Sequence, residues 1–201
     1  MPQIARYTAP ATGGSGGAIV GRAKTNGGVI LPGVPGFSPI GLGTNALNGS
    51  SLYYAPFIAQ SSFSFDQFIV EVTTAGVSGA NVAVALYNAD ADLLPTSLYL
   101  DGGTVATDTV GVKTLSVSSG TVPAGRYHLA LLPSVTATFR AFRGGQDLAG
   151  LNPSLGTGYL VSFLTASRTA SLGFPSTAIL PGPTYSNQNF SFFALMRFTY
   201  S

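Results

Sequence analysis

The amino-acid sequence contains no cysteine among its 201 residues, so neither disulfide bonds nor thiolate metal sites can form. The redox compartment therefore cannot be read from it. The N-terminal stretch lacks the apolar core of a usual secretory signal. Apolar runs also stay far below the roughly 20 residues of a membrane-spanning helix. From these absences we expect neither a signal peptide of the usual kind nor membrane insertion.

Charged residues are scarce as well. They make up 8% of the chain, whereas an average soluble domain has about 25%, and the mean hydropathy is +0.36. Because charged residues are depleted in the cores of subunit interfaces, this composition favours a homo-oligomer. A surface rich in Ser, Thr and Gly accounts for part of the low charge as well. The net charge of +2, from nine basic and seven acidic residues, is too small to predict a nucleic-acid partner.

What the sequence does have is an alternation of apolar and polar residues, which is typical of β-strands with one buried face. Residues 68–73 show it clearly, because Phe68, Val70 and Val72 alternate with residues such as the outward-facing Glu71. The predicted strands cover residues 52–60, 62–73, 81–87, 97–100, 112–117, 126–132, 136–142, 159–164 and 190–200.

Turns rich in Gly, Pro and Asp separate these strands, at residues 74–80, 88–95, 101–103 and 122–125. A change in the phase of the alternation at Asp66 and Gln67 predicts a β-bulge. With no convincing helical pattern, the chain is predicted to be all-β, an antiparallel β-sandwich of the jelly-roll kind.

Residues 1–50 differ from the rest, with twelve glycines, five prolines and no acidic residue. Only Arg6, Arg22 and Lys24 are charged, and the stretch returns repeatedly to apolar residues. Disordered tails instead combine low hydrophobicity with high net charge. We therefore predict an extended N-terminal arm over residues 1–50 that packs on a sister subunit, followed by a β-sandwich domain over 51–201. An arm folded back on its own domain is the alternative.

Residues for catalysis are hard to find. His128, the single histidine, alternates outward on its strand with no acidic residue near it in sequence, which predicts a surface or interface histidine. Glu71 is the single glutamate, so a pair of carboxylates for glycoside hydrolysis would depend on aspartates in turns. The sequence therefore predicts no catalytic residue, no cofactor and no enzyme. A polysaccharide-degrading enzyme is the alternative ranked last.

The acidic loop at residues 88–92 is the candidate for a metal. Asn88, Asp90 and Asp92 occupy alternate positions with Asp101 nearby, like the oxygen-rich start of a calcium loop. The glycine and the bidentate glutamate of such a loop are missing. We predict a solvated turn and assign no metal ligand, and calcium stays open.

Two further features could contact a sugar or a base. Arg140 and Arg143 alternate with Phe139 and Phe142, which could stack on flat rings, although a strand edge explains the pattern equally well. Tyr185 lies in a polar loop that would suit a receptor contact. Neither identifies a receptor-binding residue.

Several stretches between residues 51 and 135 carry a resemblance: Tyr54-Ala55-Pro56-Phe57, Ile69-Val70-Glu71-Val72-Thr73-Thr74-Ala75-Gly76, Leu86-Tyr87-Asn88-Ala89-Asp90, Gly111-Val112-Lys113-Thr114 and Val122-Pro123-Ala124-Gly125-Arg126-Tyr127. This region resembles a β-sandwich module of virion proteins of tailed bacteriophages, of the tail-fibre or structural-protein type. The resemblance implies a fold and a setting in the virion, and no catalytic residues.

The expected function is therefore that of a small tail-fibre or spike-type component on the exterior of the tail or capsid. As is usual for proteins of this resemblance, it would be a homotrimer, held to sister subunits or other virion proteins by its N-terminal arm. Its loops would face a host surface glycan. The alternative is a capsid decoration (cement) protein whose arm passes between capsomers.

Overall fold

The computed structural model describes residues 29–30, 38–59, 62–145, 163–180, 185–186, 190–191 and 194–199. These residues form thirteen β-strands and one turn of 3₁₀ helix, Ala170–Leu172. The strands are β1 (Val29–Ile30), β2 (Ser38–Leu47), β3 (Ser51–Ala59), β4 (Phe63–Thr74), β5 (Asn81–Ala89), β6 (Pro95–Ala106), β7 (Gly111–Val122), β8 (Gly125–Pro133), β9 (Ala137–Gly145), β10 (Phe163–Ser167), β11 (Tyr185–Ser186), β12 (Phe190–Ser191) and β13 (Ala194–Thr199). No helix in this part of the chain is long and apolar enough to cross a membrane.

The strands form two antiparallel sheets. The six-stranded sheet has the order β11-β10-β3-β8-β5-β6. The seven-stranded sheet has the order β1-β13-β4-β9-β12, with β7 on the free edge of β4 and β2 on the free edge of β9. The prediction of an all-β sandwich is confirmed.

The central pairings are nested like one long hairpin. β3 pairs with β8, β4 with β7 and β5 with β6, and successive pairs lie alternately in the six-stranded and the seven-stranded sheet. Rolling such a hairpin up between two layers produces the winding of a jelly roll. The short connections at residues 75–80, 90–94 and 123–124 return the chain at the ends of these pairs.

The main core lies between the two sheets, where the predicted alternation puts it. On β4, Phe68, Val70 and Val72 are buried while Glu71 faces out. The inner face of the six-stranded sheet supplies Val82, Val84, Leu86, Tyr127, Leu129 and Leu131. Each large apolar side chain that is fully buried contributes roughly 1.5–3 kcal/mol.

A second core lies on the outer face of the six-stranded sheet. Residues 168–180, here called the cover segment, lie over this face and place Ala170, Phe174 and Ala178 against it. They cover Leu52, Tyr54, Ala83, Ala85, Tyr87, Ala130 and Leu132. As a result, β5 and β8 are buried on both faces. The cover segment is therefore a third layer, outside the six-stranded sheet.

The predicted bulge at Asp66 and Gln67 is confirmed by the pairing of β4 with β7, since Phe65 pairs with Gly120 and Gln67 with Ser116. The predicted turn at residues 101–103 is wrong. β6 runs straight through it as a bulge, because Ala83 pairs with Thr104 and Ala85 with Asp101.

Glycines are needed in this bulge for two separate reasons. Gly103 has a φ of +86° and donates its N–H to Asp101 Oδ1. At Gly102 a Cβ would lie 2.6 Å from the ring of Phe68. In the sequence, the glycine pair suggests a turn because turns and bulges both favour glycine.

Much of the predicted arm, including residues 1–28, lies outside the described residues. Within it, β2 pairs with β9 from Ser38 to Leu47, and Leu47 is fully buried in the main core. β1 pairs with β13 at Val29 and Ile30. Residues 38–47 therefore belong to the seven-stranded sheet.

Candidate functional site

His128 lies on β8 between Pro56 of β3 and Tyr87 of β5, on the face beneath the cover segment. It is 1% exposed, so the prediction of a surface or interface histidine is wrong. The loop between β5 and β6 folds over it, and Nε2 lies 2.7 Å from the carbonyl oxygen of Leu93. Because a carbonyl only accepts, Nε2 carries the proton in the neutral ring, and Nδ1 is buried without a hydrogen bond.

Burial lowers the pKa of His128 to about 4, and hydrogen bonding to the Leu93 carbonyl only partly offsets that effect. The ring is therefore neutral at pH 7. A general base works best with a pKa near the working pH and with access to the proton it removes. His128 has neither property in this position. Its side chain packs beneath the loop between β5 and β6 and holds that loop by the hydrogen bond to Leu93.

Two tyrosines share that core with it. Tyr54 and Tyr87 pack edge to face with ring centroids 5.2 Å apart, and the Tyr87 hydroxyl donates to the carbonyl oxygen of Pro175 over 2.6 Å. The Tyr54 hydroxyl lies near Tyr87 and the backbone of Ile179 without forming a hydrogen bond of good geometry. Burial raises the pKa of Tyr54 to about 12 and also raises the pKa of Tyr87. Both hydroxyls therefore stay protonated at neutral pH.

The cover segment is fastened mainly by backbone hydrogen bonds. Leu98 N–H donates to Ser176 O, and Ala178 N–H donates to Thr96 O, so the segment pairs with the edge of β6. Arg168 donates from Nε to Gly173 O and from an Nη to Leu172 O, both over 2.7 Å. Sequence reasoning missed this layer, although the apolar residues on the second face of β5 were its signal.

The acidic loop is closed by its own backbone. Asp90 Oδ1 accepts from the N–H groups of Asp92 and Leu94, each over 2.9 Å, and Asn88 donates to Ser97 Oγ. Asp101 accepts from Gly103. The predicted turn between strands is confirmed. Within the described ranges, no three His, Asp or Glu side chains group so that they could hold a metal ion.

Glu71 faces outward as predicted and forms a bidentate pair with Arg140, with contacts of 2.9 and 3.2 Å. Both side chains are 38% exposed, so the pair is a surface ion pair of small energetic value. Phe139 is fully buried in the main core, so it cannot stack on a ligand beside Arg140. The strand alternation puts the two residues on opposite faces. The side chains of Phe142, Arg143 and Tyr185 lie outside the described part.

The outer face of the seven-stranded sheet around this pair carries hydroxyl and methyl groups. We call it the hydroxyl face. Its members, taken from the sheet register, are Thr44, Ala46, Ile69, Thr73, Val112, Thr114, Ser116 and Thr138. None of the described segments lies over it, whereas the six-stranded sheet is covered by its own chain. The two outer surfaces of the sandwich therefore differ in kind.

The edges of the two sheets differ as well. The edge of β6 is paired with the cover segment at residues 96–98 and is interrupted by the glycine bulge. β7 pairs with β4 alone among the described strands, and its register is regular from Gly111 to Ser116. An edge strand of this kind presents a row of N–H and C=O groups to a partner strand.

One end of the sandwich exposes three valines. Val77, Val110 and Val112 are 69%, 63% and 65% exposed. Residues 75–80 and 107–110 are joined there, because Gly76 N–H donates to Thr107 O and Thr107 N–H to Ala80 O. We call this the valine end. These backbone hydrogen bonds hold the two connections together at the end of the sandwich where β7 begins.

Comparison of the chain with protein-family models, with curated proteins and with solved structures finds no match in any of the three.

Proposed function

We propose that this protein is a non-enzymatic structural component of a tailed-bacteriophage virion, a small fibre- or spike-type protein on the exterior of the tail or capsid. It assembles as a homo-oligomer, a trimer by resemblance, through its N-terminal residues. Its loops face a host surface glycan. The proposal combines the resemblance over residues 51–135 with the features of the described surface.

The observation that carries the proposal is the unequal treatment of the two sheets. One sheet is covered by the cover segment. Among the described residues, the other sheet has an outer face with one ion pair and an edge strand, β7, that pairs on one side alone. The cores of subunit interfaces are depleted of charged residues. A jelly-roll sandwich is an architecture found in viral capsid and lectin domains, which is an argument by analogy.

The polar groups that an enzyme would need have structural roles in the described part. His128 is buried with its pKa lowered to about 4. The carboxylate of Glu71 is paired with Arg140, and Asp90 and Asp101 accept backbone N–H groups. These contacts favour a binding or assembly role over hydrolysis.

The test is electron microscopy of purified phage particles from the host culture, labelled with antibody to the full-length chain. We expect label on the tail. Label on the head would support the capsid decoration protein instead. Particles without label, with the chain present only in the particle-free lysate, would overturn a role in the virion.

A second assay addresses the enzyme alternative. The purified chain is incubated with host surface polysaccharide, and released reducing sugar is measured over time. We expect release equal to that of a heat-denatured sample. Turnover above that background would contradict the non-enzymatic proposal.

A further inference from the structure

We infer that the open edge of β7 receives an extended strand from residues 1–28 of a second copy of this chain. The inference rests on the proposed function, because it names the surface through which the copies assemble. It describes β-augmentation, in which main-chain hydrogen bonds supply affinity and side chains supply selectivity.

The edge of β7 is fit for such pairing over the stretch from Gly111 to Ser116. Its register with β4 is regular there, and the stretch contains no proline and no bulge. Its one charged residue, Lys113, donates to Thr109 Oγ1 within its own chain. Proteins usually protect exposed edges with prolines, bulges, charges or covering segments. This chain applies two of those devices to β6, whereas this part of β7 has the single charge of Lys113 and, among the described strands, no partner beyond β4.

The far edge of the same sheet is a poorer receiver. It is formed by β1 and β2, and β2 contains Pro39 next to a break in register. It is also the edge at which the N-terminal residues enter the sheet, through β1 at Val29. The supplying segment and the receiving edge therefore lie on opposite sides of the molecule.

Charge favours residues 1–28 as the occupant. They contain three of the nine basic residues and none of the seven acidic ones, so their net charge is +3 while that of the remaining chain is −1. Asp108 lies in the turn that leads into β7, and Lys113 lies on the receiving edge itself. A cationic segment is thus attracted by the net negative charge of the remaining chain, and at this edge the charge of Asp108 offsets that of Lys113.

Length permits the contact between copies. β1 and β7 are separated by β13 and β4, which is about 14 Å at the usual strand spacing. Fully extended, residues 1–28 reach at most about 95 Å. A contact from one edge of one copy to the opposite edge of the next is head to tail, and such contacts close into rings when the rotation permits. A ring of three would satisfy the proposed trimer.

The main test compares masses in solution, by light scattering over a dilution series, for the full-length chain and four variants. The variants are a deletion of residues 1–28, Thr114→Lys, Thr114→Glu and Ala46→Lys. Thr114 is exposed on the hydroxyl face beside the receiving edge, and Ala46 is exposed on the same face at the far edge. The two substitutions at Thr114 both introduce a flexible charged side chain and differ in the sign of the charge.

We expect the full-length chain, Thr114→Glu and Ala46→Lys to form the same oligomer. The deletion should be monomeric, and Thr114→Lys should associate roughly tenfold more weakly, with the difference reduced by salt. Far-UV circular dichroism and urea midpoints identify any variant that fails to fold. For such a variant, full-length copies carrying cysteine at Thr114 are mixed with copies carrying cysteine at Ala18, which the cysteine-free background allows.

The inference is overturned if Thr114→Lys assembles like the full-length chain, if the deletion variant forms the same oligomer, or if the mixed Thr114→Cys and Ala18→Cys copies form no disulfide with each other. A deletion that abolishes assembly while Thr114→Lys has no effect leaves the N-terminal role in place and refutes the β7 edge. Particle labelling decides the virion role independently, so failure of the inference and failure of the proposed function give different results.

Discussion

Acid should destabilise this protein through His128. In the folded chain the pKa of this histidine is lowered from its ordinary 6.5 to about 4 by burial. Between these two values the unfolded chain binds a proton that the folded chain does not. Stability therefore falls as the pH drops from 6.5 to about 4, and above 6.5 the contribution is fully retained.

The size of the effect follows from the two pKa values. Each unit of difference corresponds to about 1.36 kcal/mol, so the interval from 6.5 to about 4 corresponds to about 3 kcal/mol. That is a large share of the roughly 5–15 kcal/mol that stabilises a typical domain. The chain has no other histidine, so no second imidazole contributes in this range.

The assay is urea unfolding from pH 7.5 to 4, followed by far-UV circular dichroism. The matched control is His128→Gln, whose amide can still donate to the Leu93 carbonyl but does not titrate. Carboxylates titrate alike in both proteins, so the difference between the two unfolding free energies isolates the histidine. We expect the unfolding free energy of the wild-type protein to fall by about 3 kcal/mol relative to that of the variant between pH 7 and pH 4.

Parallel pH profiles for the two proteins would refute the reasoning. So would a wild-type protein that gains stability relative to the variant as the pH falls. Either result would mean that His128 is solvated or has an acidic partner when the protein is folded.

Three other substitutions test the packing. Gly102→Ala should lower the unfolding free energy by about 1–3 kcal/mol, because its methyl would lie 2.6 Å from the Phe68 ring; an unchanged urea midpoint would contradict the bulge geometry. Tyr87→Phe removes the donor to the Pro175 carbonyl and should cost about 1 kcal/mol. It should also speed proteolysis within the cover segment, and equal cleavage rates would argue against this fastening. Glu71→Gln should leave the urea midpoint unchanged within error, because the ion pair is exposed. A clearly lower midpoint would show that the ion pair stabilises the fold.

Local sequence patterns determined a good part of this structure. The alternation in β4 correctly placed Val70 and Val72 inside and Glu71 outside. The phase change at Asp66 correctly located the bulge, and the pattern Val122-Pro123-Ala124-Gly125 correctly separated two strands. These features depend on backbone geometry and on neighbouring residues, which is why they can be read from a short stretch of sequence.

The tertiary structure decided which outward faces stay exposed. Alternation placed His128 on the outer face of its sheet, and that assignment is correct. It could not show that residues 168–180, more than 35 positions further along the chain, would cover that face. Nor could it show that the loop between β5 and β6 would fold over His128, since Leu93 lies 35 positions from it in the chain, and the low pKa of the ring depends on that burial.

The glycine pair at 102 and 103 makes the same point. Glycine is favoured wherever the backbone takes a positive φ or a neighbour comes close, so the pair is compatible with a turn or a bulge. The choice is made by Phe68 on the facing sheet and by the pairing of Ala83 and Ala85 across the strand. The sequence by itself determined the strands and the face on which each residue lies. Only the folded chain decided what covers each face and which edges remain open, because those contacts join residues that are far apart in sequence.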